Sequence, residues 1–369
     1  MKRTNKSNST PMGTTVSRSL PSLKTFGLYS LLIAGAIAGF FLLKPLLESN
    51  NNGAGALGII HDSTEKKKDS LADNKGRYDQ TAYMEQLRLM ANGDSSGRWP
   101  VKTGVEYQPG ALLPFHRIIA YYGNLYSKQM GILGELPKQE VLNHLQAKVA
   151  EWQAADSTTV TIPALHYIAV TAQGSPGKGG KYRLRMPFHQ IDSVLKMAEK
   201  INAIVFLDIQ VGLSTLQQEI PELDKYLRLP NVHLGIDPEF SMKGGQAPGK
   251  VIGKFDASDI NYAADYLEKL VKENSLPPKV LVIHRFTQGM VTNYKQIKTR
   301  PEVQMVMHMD GWGHPAKKIT TYKQFIYREP VEFTGFKLFY KNDLKEKGRL
   351  LTPSELVALK PRPLYIQYQ

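Results

Sequence analysis

The chain contains no cysteine in its 369 residues. This absence excludes a disulfide framework, a thiolate metal site and a lipid-modified amino-terminal cysteine. Charge-free apolar runs are scarce, and the notable one is Phe26 to Leu43, which continues for eighteen residues. No nucleic-acid-binding motif accompanies the basic residues, which are scattered along the chain. Hydrophobic residues make up 42% of the composition, which indicates an ordinary globular core.

The charge-free run approaches the roughly 20 residues that are needed to cross a bilayer. Residues 1–25 are polar and basic, and the positive-inside rule places such a segment in the cytoplasm. We therefore predict a cytoplasmic tail at 1–25, one transmembrane anchor at 26–47 and an extracytoplasmic domain in a single-pass protein of the cell membrane. A cleavable signal is the alternative, since Ala54-Gly55-Ala56 resembles a cleavage site. The polar composition of residues 48–76 predicts a flexible linker.

The net charge is +14, of which residues 1–50 carry +5 and the remainder +9. A positive excess on the remainder favours anionic surroundings. For an exported domain we expect a cell-wall polymer or another polysaccharide as the partner, with the membrane contacted through the amino-terminal helix and no nucleic acid.

From Pro114 onward, short apolar runs rich in β-forming residues alternate with helical stretches, which indicates repeated βα units. Eight strands in about 256 residues match the size of a (β/α)8 barrel, which is close to 250 residues. We predict a TIM-type α/β barrel over residues 77–369, with Asp79 to Met90 as a helical extension. A doubly wound open sheet is the alternative. The predicted strands are His116–Gly123, Ile162–Thr171, Ala203–Val211, Val232–Pro238, Lys279–Phe286, Val303–Met309, Thr334–Tyr340 and Pro363–Gln367. The helices predicted between them include one around 215–227 and a short one near 293–298.

The fourth predicted strand ends in Asp237-Pro238-Glu239. Residues two apart on a strand share a face, and the carboxyl ends of barrel strands share one mouth. We predict Glu239 as the acid that protonates a leaving oxygen, because crowding and burial raise the pKa of a carboxyl group. Asp237, Asp208 and Asp310 would orient this acid or stabilise positive charge. The alternative is that Asp237 only caps the next turn while Glu239 pairs with a basic side chain.

Polar and aromatic residues accumulate at the ends of the other predicted strands. This accumulation favours a functional site at the barrel mouth over the alternative in which the acids only cap turns. Rings can stack on sugar faces and polar groups can bind hydroxyls. We predict a substrate-binding set of Tyr121, Tyr122, Gln210, His284, Arg285, His308, Trp312 and Tyr340.

A divalent metal is a further alternative, because His284, His308, Asp310 and Asp208 carry suitable donor atoms. The His-x-His pair of barrel amidohydrolases is absent from the first strand, however. We therefore predict no cofactor and assign no metal ligand. The three other histidines on predicted strands are expected to be core or rim residues, namely His116, His166 and His233.

The Asp-x-Glu ending of the fourth strand resembles chitinase-type glycosidases and barrel-type muramidases, whose catalytic Glu lies at that place. The chitinase pattern has earlier Asp residues where this chain has Val232 and Gly235, and Pro238 between the acids is also a departure. The region from Pro114 to Tyr340 also resembles uncharacterised secreted or membrane-anchored bacterial barrel proteins with similar Asp-Pro-Glu and His-Met-Asp-Gly segments.

Three hypotheses follow. The first is a membrane-anchored, extracytoplasmic glycoside hydrolase that uses Glu239 and Asp237 on a polysaccharide. The second is a non-catalytic barrel that binds a glycan or another partner. The third is a metal-dependent hydrolase.

Overall fold

The computed structural model describes residues 79–102 and 106–369. The predicted tail, anchor and linker, at 1–25, 26–47 and 48–76, lie outside the described residues. Among the residues that are described, no helix combines the length and the apolar character that a membrane span requires.

Eight parallel strands form a closed barrel, in which every strand pairs with the next and the eighth pairs with the first. This closure confirms the predicted barrel and excludes the open sheet. The strands are β1 (His116–Gly123), β2 (Val160–Ala172), β3 (Ile204–Ile209), β4 (Val232–Ile236), β5 (Lys279–Arg285), β6 (Val303–Met309), β7 (Phe333–Leu338) and β8 (Tyr365–Tyr368).

Three short strands of the described residues lie outside the barrel. Arg183–Arg185 pairs antiparallel with β2, while Phe255–Asp256 and Val291–Thr292 form a separate parallel pair.

Helices connect the strands and cover the outside of the barrel. They are α1 (Gln80–Ala91), α2 (Lys138–Ala155), α3 (Phe188–Glu199), α4 (Leu216–Glu219), α5 (Asp224–Leu227), α6 (Ala257–Asn274), α7 (Pro315–Thr321) and α8 (Pro353–Val357). A π-helical turn, Tyr322–Tyr327, continues α7. Short 3₁₀ helices occur at Ile132–Gly134, Ile220–Leu223, Pro238–Phe240, Gln288–Met290, Tyr294–Gln296 and Lys345–Lys347.

Two predicted helices are shorter or more broken than expected. The helix predicted at 215–227 is divided into α4, a 3₁₀ turn and α5. Pro221 explains the break, since its ring removes a backbone donor inside the segment. The helix predicted at 293–298 is only the 3₁₀ turn Tyr294–Gln296.

Side chains on β1 show how the barrel divides its core. Ile118 and Ala120 pack inside the barrel, whereas Ile119 and Tyr121 pack between the strands and the outer helices. This alternation is the two-residue period of a strand. Because both faces are buried, both are apolar over most of their length.

The amino-terminal segment covers the lower end of the barrel. Met90 and Trp99 pack with the interior residues Ile118 and Phe206 in one apolar cluster. The backbone N–H groups of Leu112 and Leu113 donate to the side chain of Gln304 near the start of β6. α1 therefore packs beneath the strands, and the carboxyl ends of the strands form the opposite, loop-bearing end.

Candidate active site

The barrel interior is polar near the carboxyl ends of the strands, whereas the layers below are mostly apolar. Seven strands contribute ionisable or hydrogen-bonding side chains to this one cluster, the segment after β4 contributes Asp237, and almost all of these side chains are buried. The cluster consists of Tyr122, His166, Asp208, Gln210, Asp237, His284, His308, Asp310, Lys337, Tyr365 and Gln367, with Glu239 at its rim.

Asp310 is held between two cationic neighbours. Its Oδ2 lies 2.7 Å from Nδ1 of His284, and its Oδ1 lies 2.9 Å from Nζ of Lys337. Burial disfavours the charge of Asp310, but Lys337 and His284 outweigh burial and keep its pKa well below the ordinary value. Asp310 is therefore an ionised carboxylate at neutral pH.

Asp208 occupies the centre of the cluster. Its Oδ2 accepts a hydrogen bond of 2.9 Å from the hydroxyl of Tyr122, and its Oδ1 lies 3.3 Å from Nε2 of His166 and 3.5 Å from Nε2 of His284. Burial opposes its ionisation, but His284 and His166 more than compensate, so its pKa is well below the ordinary value.

The two histidines beside Asp208 hold different charges. Burial lowers the pKa of His166 to about 4, so this imidazole is neutral at pH 7. Burial also acts on His284, but the charges of Asp208 and Asp310 outweigh it and raise its pKa to about 10. His284 is thus an imidazolium between two carboxylates.

Asp237 both caps a turn and faces the cluster. β4 ends at Ile236, two residues before the predicted end, and Asp237 caps the 3₁₀ helix Pro238–Phe240 by accepting a 3.0 Å bond from the N–H of Glu239. Its other oxygen, Oδ2, accepts from Nε2 of Gln210 at 3.4 Å. Asp237 therefore caps the turn and also faces the cluster, while its catalytic role stays a prediction.

The pKa values of Asp237 and Glu239 are raised, whereas those of Asp208 and Asp310 are lowered. Burial, together with Asp208 and Asp310, raises the pKa of Asp237 to about 7 against the opposing charge of His284. Burial and the charges of Asp237 and Asp310 raise the pKa of Glu239 to about 8. Neighbouring carboxyl groups with separated pKa values are what acid/base chemistry requires.

Two glycines make room for this cluster inside the barrel. A Cβ atom at Gly235 would lie 2.4 Å from both Oδ1 of Asp208 and Nε2 of His166. A Cβ atom at Gly335 would lie 2.6 Å from Nδ1 of His308. The lack of a side chain at position 235 of β4 and at position 335 of β7 therefore leaves room for Asp208, His166 and His308.

The structure brings eight of the predicted site residues into or beside the cluster. These are Asp208, Asp237, Glu239, Asp310, Tyr122, Gln210, His284 and His308. His308 is fully buried below the mouth, with its ring 5.1 Å from that of His284. The catalytic and binding roles assigned to these residues remain predictions.

Three predicted substrate-binding residues lie elsewhere. Tyr121 faces the outer helices, and its hydroxyl is 3.1 Å from that of Tyr340, which packs against the same outer cluster. Arg285 also points outward, where it pairs with Glu329 and donates to backbone carbonyls. Expecting these three residues at the mouth was wrong, because Tyr121 and Arg285 have the opposite strand parity to Tyr122 and His284, while the ring of Tyr340 stacks on Tyr368 in the outer cluster.

Trp312 lies after β6, partly exposed. Its ring is flanked by the ammonium groups of Lys317 and Lys345, at 5.0 Å and 5.5 Å from the ring centroid. Its predicted contact with substrate remains a prediction.

Four residues of the cluster were absent from the predicted set: His166, Lys337, Tyr365 and Gln367. His166 was expected in the core or at the rim, yet its Nδ1 is 2.5 Å from the hydroxyl of Tyr365. Gln367 donates to the same hydroxyl at 2.9 Å. Each of the four lies on a predicted strand, but which residues of a strand face the interior follows from the register, in which His166 aligns with Tyr122 and Lys337 with Gln367.

Two groups of side chains in the cluster have donor atoms close enough to hold a metal ion. They are His166 with Asp208 and His284, and Asp237 with His284 and Asp310, each with its donor atoms within 4.8 Å of one another. In the second group, Lys337 and the Nδ1 of His284 already neutralise Asp310. The first group therefore has the more available donor atoms.

No protein-family profile matches the sequence, and no curated protein matches it. Solved structures that resemble the chain include the cellulase Cel5C_n, at 13% identity and a TM-score of 0.36, over 60% of this chain and 65% of that one. Cel5A of Thermotoga maritima matches at 12% identity and a TM-score of 0.37, over 68% and 88% of the two chains.

Dihydropteroate synthase of Burkholderia cenocepacia matches at 9% identity and a TM-score of 0.33, over 69% of this chain and 86% of that one. The chain spans less than two thirds of the length of Cel5C_n. The similar structures include both cellulases and a dihydropteroate synthase, so these similarities assign no activity to the chain.

Proposed function

We propose that this chain is a glycoside hydrolase that cleaves a cell-wall or other extracellular polysaccharide. In this proposal the segment at 26–47 anchors the protein in the membrane, and the barrel acts on the outer side. The observation that carries the catalytic proposal is the pair Asp237 and Glu239, whose pKa values are raised to about 7 and about 8 beside ionised Asp208 and Asp310.

Glycosidic cleavage needs one carboxyl group that is protonated and one that is ionised on either side of the scissile bond. Glu239 supplies the proton to the leaving oxygen as the bond from that oxygen to the anomeric carbon breaks. Asp310 and Asp208 stabilise the positive charge that develops on the sugar ring. Water then adds to the anomeric carbon and releases its proton to a carboxylate of the mouth.

The location of Glu239 suits the acid role better than that of the other carboxyl groups. It is partly exposed at the rim, whereas Asp208 is fully buried and Asp310 is fixed by Lys337 and His284. A polymer too large to enter the barrel can therefore meet Glu239 first.

The test is release of new reducing ends by the full-length protein from peptidoglycan, chitin-type and cellulose-type polymers. Glu239→Gln keeps the shape of the side chain but cannot donate a carboxyl proton, so cleavage should fall by a factor of roughly 100 or more. Glu140→Gln is the matched control, because Glu140 is exposed on the outer helix α2 and is not part of the polar cluster. It should cleave as the wild type does.

Polymer binding, measured by co-sedimentation, separates the hydrolase from a binding module. If the wild type and Glu239→Gln both bind a polymer and neither cuts it, the barrel binds glycan without catalysis. If neither binds nor cuts any polymer in the panel, polysaccharide is not the ligand class.

A further inference from the structure

Three buried side-chain atoms point at one another in the centre of the polar cluster. They are Nε2 of His166, Oδ1 of Asp208 and Nε2 of His284, and these three residues have donor atoms within 4.8 Å of one another. All three side chains have no exposed surface, and none of the three atoms makes a hydrogen bond among the described residues. Buried polar atoms without hydrogen bonds are rare and need a physical explanation.

The spacing of these atoms fits ligands around an ion better than partners in hydrogen bonds. Nε2 of His166 and Nε2 of His284 lie 3.3 Å and 3.5 Å from Oδ1 of Asp208. A tetrahedral ion with bonds of about 2.0–2.2 Å places its ligand atoms roughly 3.3–3.6 Å apart. An N–H···O hydrogen bond would bring them to about 2.9 Å.

In each of these three side chains, the second ring nitrogen or carboxylate oxygen already has a hydrogen-bonding partner. Nδ1 of His284 is 2.7 Å from Asp310, and Nδ1 of His166 is 2.5 Å from the hydroxyl of Tyr365. The hydroxyl of Tyr122 donates to Oδ2 of Asp208 at 2.9 Å. Metal-binding histidines and carboxylates are typically oriented by such outer partners.

The backbone also leaves space at this point. Gly235 faces the interior between Asp208 and His166, and a Cβ atom there would lie 2.4 Å from both ligand atoms. A side chain at position 235 would therefore occupy the space that the converging atoms surround.

We propose that His166, Asp208 and His284 bind one divalent transition-metal ion, with Zn²⁺ as the best-fitting ion. Two imidazole nitrogens and one carboxylate oxygen are a ligand set for zinc or a related first-row ion rather than for magnesium or calcium. Three protein ligands leave a fourth position for water or substrate, as in catalytic zinc sites. The bound ion replaces the proton on Nε2 of His284, because ligands give up protons when they bind metal.

This proposal departs from the sequence prediction, which assigned no metal ligand. It does not rest on the glycoside hydrolase proposal, because metal uptake is measured without any substrate. A protein that binds zinc but cuts no polymer, or the reverse, would separate the two proposals.

The experiment loads the full-length, chelator-treated protein with Co²⁺, whose visible absorption reports tetrahedral coordination, and then displaces it with Zn²⁺. We expect one ion per chain for the wild type and for His144→Gln, since His144 is exposed on α2. His166→Gln should weaken binding by more than about 100-fold, and Tyr365→Phe, which removes only an outer partner, by roughly 10-fold.

The proposal is overturned if the wild type takes up no stoichiometric ion, or if His166→Gln keeps the affinity and spectrum of the wild type. If a variant does not fold, X-ray absorption of the zinc-loaded wild type tests the ligand assignment without a substitution. It should show two imidazole ligands with bonds of about 2.0–2.1 Å, and fewer than two would contradict the assignment.

Discussion

Asp310 lies 2.7 Å from His284 through Oδ2. Its other oxygen pairs with Lys337 at 2.9 Å. One carboxylate thus serves two cations, and the three side chains link β5, the end of β6 and β7 across the mouth. This arrangement keeps Asp310 ionised and leaves Glu239 as the group that holds a proton.

Removing Lys337 should therefore destabilise the fold and raise the pKa values of Asp310 and Glu239. Lys337→Met leaves the buried Asp310 with one cation, and loss of one partner of a buried ion pair typically costs about 3–5 kcal/mol. Urea denaturation should show this loss. Lys341→Met is the control, because the Lys341–Glu135 pair is exposed and contributes little. Equal stability of the two variants would contradict the role given to Lys337.

The polymer-cleaving activity should fall at alkaline pH. The pKa of Glu239 is raised to about 8, so its acid form is present below pH 8 and is lost as the pH rises through that value. The pH profile of cleavage should therefore have an alkaline limb near pH 8. Lys337 lowers the pKa of Glu239, so the limb should move to higher pH in Lys337→Met. If the alkaline limb of Lys337→Met lies at the same pH as that of the wild type, a group other than Glu239 controls the loss of activity.

Gly235 should tolerate no side chain. Gly235→Ala places a Cβ atom 2.4 Å from Asp208 and His166, and overpacking of this kind typically costs about 1–3 kcal/mol. Gly289→Ala is the matched control, since a Cβ atom there meets no atom within 4 Å. Thermal unfolding should separate the two variants clearly. If both unfold as the wild type does, the interior near β4 is wider than the structure indicates.

The eight-strand barrel could be predicted from the sequence because alternation of apolar runs and helices is a long-range pattern. The face that each strand end presents could not. Tyr121 and Tyr122 are adjacent and both buried, as are His284 and Arg285, so composition does not reveal which one faces the interior. His166 joins the site only through its register with Tyr122, and register depends on how neighbouring strands pair.

Lys279 at the start of β5 predicts a pH-dependent contribution to stability that is independent of the mouth. Its ammonium group donates to the carbonyls of Leu229 and Val232, and burial lowers its pKa from 10.5 to about 7. Between these values the unfolded chain binds a proton that the folded chain does not. The free energy of unfolding therefore gains at most about 1.4 kcal/mol per pH unit from this residue as the pH rises from about 7 to 10.5.

Lys279→Met lacks this titration, so its stability difference from the wild type should change across the same window. Urea denaturation of both proteins at several pH values measures it. Parallel stability curves would show that Lys279 keeps its proton in the fold.

The most direct test of Glu239 as the proton donor is its own protonation state. Carbon-13 NMR of the full-length protein, labelled at the glutamate side-chain carboxyl, follows each carboxyl group through its titration. Glu332 on the loop before β7 is also buried with a pKa raised to about 8, so Glu332→Gln identifies its signal. We expect a second carboxyl group that is protonated at pH 7, titrates near pH 8 and is missing from Glu239→Gln. A Glu239 signal that titrates near the ordinary value of 4.5 would contradict this expectation.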